Sequence, residues 1–198
     1  MRVALWASIA SRRASTPSPL VAVVMSTGGA GHTIGVALRI PDPYAAVLDE
    51  ARERFEPEAG DMPAHVTILA PIDVDADALP AVDRHLASVA AATSPFRLVL
   101  QGAGTFRPVS PVVFVGVGLG GADCELLEKQ VRSGDMAVET RFPYHPHVTV
   151  AHDVDAAVLD AALEELSGFE AAFDVVSMGL YENVNGSWVL IREFDFTG

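Results

Sequence analysis

Cysteine and lysine are nearly missing from this chain. One cysteine, Cys124, among 198 residues excludes an intrachain disulfide framework and a zinc site built from cysteines, and points to a reducing, cytoplasmic setting. One lysine, Lys129, stands beside twelve arginines, and 13 Lys and Arg against 26 Asp and Glu leave a formal net charge of -13. A chain of that sign does not coat DNA or long RNA, because that mode neutralises many phosphates with clustered basic side chains. No DNA partner is expected, and any contact with RNA should be small and local. The bias toward arginine suits forked, two-bond contacts to phosphate, although a GC-rich genome produces the same bias. Long apolar runs are also absent. None approaches the roughly 20 residues that span a bilayer, so a soluble protein without a membrane partner is expected. Residues 32–198 contain no Ser/Gly linker, charge block or low-complexity tract, which argues for one working unit. Half of the residues are hydrophobic, enough for a sizeable core in a chain expected to act as a monomer.

Residues 1–31 are set apart. VALWASIA behind Arg2 has the outline of a short signal peptide, but with one charge before it and Arg12-Arg13 straight after, secretion is not expected. The expectation is a disordered leader or a start assigned too early, with Met25 as the alternative start. From there strand and helix signals alternate. Strands are expected at residues 33–40, 64–70, 96–100, 112–117, 147–151, 173–181 and 187–196, with one short strand possible at 136–140. Helices are expected at 42–55 behind an Asp42 cap, at 77–92, from an Asp123 cap through Val131, and at 155–166. Gly and Pro in GAGTFRPVSP are expected to interrupt the sheet. Asn185-Gly186 marks a closing hairpin. The strands are neither uniformly apolar nor followed by Gly-rich phosphate loops, so α+β is preferred over a Rossmann-type parallel sheet.

One pattern occurs twice. His65-Val66-Thr67-Ile68 and His147-Val148-Thr149-Val150 are the same tetrad, His-apolar-Thr-apolar, placed once in each half. In a strand His and Thr face one side and the aliphatic pair the other, so each copy sends two apolar residues into a core and two polar ones to a surface. Phosphodiester chemistry uses such a set. One neutral and one protonated imidazole can coexist near neutrality as base and acid, each contributing roughly 10²–10⁴-fold. Threonine hydroxyls beside them can donate to the non-bridging oxygens where charge builds. The scheme needs no metal and no cofactor.

The paired tetrads resemble the HxTx signature of the 2H phosphoesterase superfamily, in particular its 2'-5' RNA ligase-like and cyclic phosphodiesterase branch. HTIGVALRIPD is similar to that family's opening strand, GTFRPVSPVVFVGV to its central Gly-x-Phe segment and next strand, and RFPYHPHVTVAH to its second motif with lead-in. The resemblance covers about residues 32–196. It implies an α+β fold of two lobes with antiparallel sheets, related by a pseudo-twofold around a central cleft. It also implies His65 and His147 as the catalytic pair and Thr67 and Thr149 as phosphate ligands. The implied activity is hydrolysis or formation of a 2′,3′-cyclic phosphate or 2'-5' phosphodiester, on a small nucleotide or a short RNA end. Ile68 and Val150 depart conservatively from the leucine common in the family.

Two other readings stay open at this stage. His145, His147, His152 and Asp153 have spacing that can hold zinc or iron, giving a metal-dependent hydrolase, although Pro146 interrupts the strand and the first tetrad is left unused. A non-catalytic module that binds a nucleotide or RNA end is the other. Phe106, Phe142 and Tyr144 read as packing residues, with base stacking a lesser option. Arg107 is either a phosphate contact or part of a solvated loop. Asp73, Asp75 and Asp77 read as helix capping and loop, and His32 and His85 as surface residues.

Overall fold

A computed structural model of the chain describes residues 31–57 and 60–198. The expected leader and the alternative start at Met25 lie outside the described residues. Among the described residues eight strands form two four-stranded antiparallel sheets. The first sheet holds β1 (His32–Arg39), β2 (His65–Val74), β7 (Ser177–Val184) and β8 (Ser187–Asp195), in the order β2-β1-β7-β8. The second holds β3 (Phe96–Thr105), β4 (Val112–Leu119), β5 (His147–His152) and β6 (Glu170–Val175), in the order β5-β4-β3-β6. The two orders correspond strand for strand, which makes the fold two pseudo-twofold-related α+β lobes. In each lobe a central strand leads through a helix to an antiparallel edge strand, by α1 (Tyr44–Phe55) from β1 to β2 and by α3 (Gly121–Val131) from β4 to β5. Helices α2 (Leu79–Ala91) and α4 (Ala156–Glu165) complete the fold.

The helices are exchanged between the lobes: α1 packs on β5 and α3 on β2. One contiguous hydrophobic cluster therefore draws from both sheets, joining Leu48, Val66 and Ile68 to Val115, Leu127, Val148 and Val150. The two edge strands have matching burial. Val66, Ile68, Val148 and Val150 are at most 2% exposed, whereas His65, Thr67, His147 and Thr149 are partly exposed. Each buried aliphatic side chain contributes roughly 1.5–3 kcal/mol. A one-residue slip of either strand would expose its pair and bury a histidine and a threonine instead, so the register is strongly specified.

Several local expectations change. Helix α1 begins after Pro43, without a side-chain cap from Asp42; the Ala45 N–H donates to the Pro41 carbonyl instead. The helix expected from residue 77 starts at Leu79, behind a 3-10 turn at Ala76–Ala78. Asp123 lies in the first turn of α3, and the cap is Gly120. The GAGT stretch does not end the sheet, because the glycine-bearing bulge at Gly102, φ 66°, lets β3 run on to Thr105. No strand forms at residues 136–140. A 3-10 turn at Gly134–Met136 stands there, and the Val138 carbonyl is taken by Arg132 Nη1 at 2.9 Å. The single strand expected at 173–181 is two strands in different sheets, because the chain leaves β6 at the exposed Val176 and crosses into β7. The Asn185-Gly186 hairpin is as expected, with both residues at positive φ, 56° and 97°.

Gly120 is a position where only glycine serves. Its φ is 85°, and a Cβ there would stand 2.6 Å from the Arg97 carbonyl oxygen, a backbone atom of the neighbouring strand. Gly120→Ala is expected to cost roughly 1–3 kcal/mol, seen as a lower urea midpoint with an unchanged m-value.

Candidate active site

Between β2 and β5 lies a cleft of about 600 Å³. Thr67 to Ile72 of β2 form one wall. Tyr144, His145 and His147, Phe106 from the β3–β4 connection, and Arg132 and Arg141 also line it. His65 and His147 are the first residues of their strands, and they are close enough for charge on His147 to oppose protonation of His65.

The two histidines are held in the same way. His65 Nδ1 donates to the Pro63 carbonyl at 2.8 Å, and His147 Nδ1 donates to the His145 carbonyl at 2.6 Å. A carbonyl only accepts, so Nδ1 carries the proton in both rings and Nε2 is the basic nitrogen of each neutral imidazole. Burial lowers both pKa values. His65 falls to about 3 through desolvation, partly offset by the Pro63 hydrogen bond and reinforced by the Arg52 and His147 charges. His147 falls to about 4 through desolvation, partly offset by the His145 carbonyl bond and reinforced by the His145 charge. Both rings are therefore neutral at pH 7 in the free protein.

Thr67 and Thr149 follow their histidines on the same face, by the alternation already described. Across the ladder Thr67 is paired with Ala37, which is paired in turn with Gly179. Thr149 is paired with Phe114, which is paired with Gly104. On each sheet an aromatic ring covers a glycine. A Cβ at Gly104 would meet the Phe114 ring at 2.6 Å, and one at Gly179 the Tyr181 ring at 2.7 Å. Tyr181 packs with Ala37, Met62 and Trp188. Phe114 packs with Phe106 and Val112, and the Phe106 and Phe114 rings stand 5.0 and 5.2 Å from the His147 ring, centroid to centroid. Gly104 and Phe114 fall in the GTFRPVSPVVFVGV segment, to which no role was assigned, and Tyr181 and Gly179 had no sequence signal as site supports, because they sit on a strand distant in sequence from either tetrad.

The remaining sequence candidates divide clearly. Tyr144 joins the lobes, its hydroxyl donating to the Thr67 carbonyl at 2.8 Å, and burial pushes its pKa well above 10. Arg107 is engaged away from the cleft, donating to Asp160 at 2.7 Å. Asp73 accepts from the Thr33 hydroxyl at 2.6 Å. Asp75 precedes the 3-10 turn and Asp77 lies within it, without a side-chain cap bond. His32 pairs with Glu182 at 2.5 Å. His85 is more than a surface residue: its Nε2 binds the Gln130 and Val131 carbonyls at the end of α3 at 3.2 and 3.0 Å. The metal set is not brought together. His145 and His147 line the cleft, whereas His152 is buried at the far end of β5, beside Asp153 at 3.2 Å. Among the described residues no group of three His, Cys, Asp or Glu side chains is arranged to hold a metal ion. No helix among them is long and apolar enough to cross a membrane.

Known proteins share this fold. The family described as the 2'-5' RNA ligase superfamily matches residues 40–187. A Halalkalibacterium halodurans protein named as a candidate phosphoesterase is 28% identical over 164 residues, 81% of this chain and 95% of that protein. A Geobacillus kaustophilus protein of the same designation is 25% identical over 164 residues, 81% and 94% of the two chains. Among solved structures, Escherichia coli LigT in complex with 3'-AMP superposes with a TM-score of 0.65 at 20% identity, over 85% of this chain and 100% of LigT. The Thermus thermophilus protein TT0787 gives 0.64 at 20% identity, over 84% and 98%. The family match takes in both tetrads and the cleft between them, and the chain belongs to the 2'-5' RNA ligase superfamily.

Proposed function

We propose that this protein is a metal-independent phosphodiesterase that opens 2′,3′-cyclic phosphates or cleaves 2'-5' phosphodiester linkages, with His65 and His147 as its acid/base pair. The observation that carries this reading is the matched seating of the two imidazoles, each with Nδ1 turned to the carbonyl two residues back. One neutral ring takes a proton from water through Nε2 as the water oxygen bonds to phosphorus. The other ring, protonated, gives its proton to the departing ribose oxygen. Thr67 and Thr149 donate to the non-bridging oxygens. A small nucleotide or a short RNA end suits the cleft volume, the acidic chain and the presence of Arg132 and Arg141 in the wall. LigT has been solved with 3'-AMP, NADP+ and ATP, which supports a nucleotide as the ligand class.

Protonation is the demanding step. Burial opposes charge on either ring, so the substrate itself must favour the imidazolium. A phosphate anion beside the rings does so, since an adjacent opposite charge raises a histidine pKa.

Three results are expected. In excess EDTA, the wild type hydrolyses a nucleoside 2′,3′-cyclic phosphate, and His65→Ala and His147→Ala each lose roughly 10²–10⁴-fold in kcat while keeping the native circular-dichroism spectrum. Turnover abolished by EDTA and restored by zinc would overturn the metal-free reading, and turnover retained in either variant would remove that histidine from the mechanism. Thr67→Val and Thr149→Val lose less, on the order of 10–100-fold, as befits one hydrogen bond to a charged group. Third, kcat/KM follows a bell whose maximum lies on the acid side of 6.5, because the free-protein values are depressed. The kcat bell lies at higher pH because bound phosphate raises both. Rates flat across this range would rule out proton transfer by the two rings.

A further inference from the structure

We propose that Asp49 of α1, braced by Arg52, is a positioning residue for His65 that acts through the peptide group between Pro63 and Ala64. The proposal rests on the reading of His65 as a proton-transfer group. Asp49 Oδ1 accepts from the Ala64 N–H at 2.7 Å, and the carbonyl that receives His65 Nδ1–H is that of Pro63. These two groups belong to one planar peptide unit, whose N–H and C=O point in opposite directions. Fixing the N–H therefore aims the carbonyl. The contact also polarises the amide, and hydrogen bonds in such a chain strengthen one another. A carboxylate is thereby linked to the imidazole without touching it. Its effect is to hold the proton on Nδ1 and present Nε2 to the cleft.

Arg52 braces the acid. Its Nη1 lies 3.2 Å from Asp49 Oδ1 and donates to the Met62 carbonyl at 2.5 Å. The backbone on both sides of Pro63 is thus tied to a single helix, and that helix is packed on β5 of the opposite lobe. Arg52 is well covered and Asp49 partly so, with side-chain exposures of 15% and 35%.

The second lobe supplies a control within the same molecule. There the carbonyl that receives His147 Nδ1 belongs to His145, and the next residue is Pro146, which has no N–H to bind. The proline ring restrains that backbone by itself. An acid equivalent to Asp49 has nothing to act on in that lobe, whereas Ala64 needs one.

The test combines imidazole ¹⁵N spectra with kinetics on a nucleoside 2′,3′-cyclic phosphate, using the full chain. In the wild type His65 should show the Nδ1–H tautomer. Asp49→Ala should convert it to a mixture with the Nε2–H form and lower kcat on the order of 10–100-fold with KM little changed, while His147 keeps its signature. Asp49→Asn, which retains an acceptor oxygen, should recover most of both. A folded Asp49→Ala protein with wild-type kcat and an unchanged His65 tautomer would overturn the proposal. So would a loss confined to thermal stability. Should Asp49→Ala fail to fold, Asp49→Glu, which displaces the acceptor by one methylene, reads the same two signals, and no change in either would overturn it. If the wild type turned over no cyclic phosphate, the functional reading would fail separately, and the tautomer signals would still decide the role of Asp49.

Discussion

The site depends on which way two short edge strands face. In β2 and β5 the burial of Val66, Ile68, Val148 and Val150 leaves His65, Thr67, His147 and Thr149 on the opposite, partly exposed face, from which Thr67 and His147 line the cleft. The polar face is thus specified by the apolar one, since the hydrophobic cluster beneath the strands makes the alternative register costly. The exchange of helices strengthens the constraint. Because α1 lies on β5 and α3 on β2, neither edge strand can shift without disturbing a helix that belongs to the other lobe. The two halves are held by one core.

Orientation of the imidazoles needs a further device, because an edge strand sets the direction of a side chain but not its tautomer. Both lobes use the carbonyl two residues back. They hold that carbonyl differently. Pro146 restrains the backbone before His147 covalently, while Ala64 presents an N–H that Asp49 secures. The pseudo-symmetry of the fold is therefore kept at the level of the donor and acceptor and relaxed in what supports them. The aromatic supports follow the same rule. A ring laid over a glycine occurs on both sheets, as Phe114 over Gly104 and Tyr181 over Gly179, and the Phe114 ring stands 5.2 Å from that of His147.

Electrostatics divides between the molecule and the cleft. A net charge of -13 repels polyanions at long range, so affinity for a phosphate ester must come from short contacts. Arg132 serves first as structure, engaged with Glu128 and the Val138 carbonyl. Imidazoles with pKa values of about 3 and 4 take up no second proton at pH 7. Under the proposed function the bound anion is what charges a ring, which would couple occupancy to protonation.

Much of this was legible in the sequence. The repeated tetrad singled out four candidate residues, alternation gave their common face, and the turn and capping signals located most elements. The misplaced ones, a strand at 136–140 and an unbroken strand at 173–181, failed because local propensity cannot see that Val138 is claimed by Arg132, or that the chain changes sheets at Val176. The single cysteine also excluded an intrachain disulfide from composition alone. The sequence by itself determined which residues carry the candidate chemistry, because residue type and period-two spacing are local properties of the chain. Only the tertiary structure decided that the tetrads lie on facing edge strands, that His152 is buried away from the cleft that His147 lines, and that Asp49, Phe114 and Tyr181 stand behind the site. Those relations are contacts between segments far apart in sequence, and packing alone creates them.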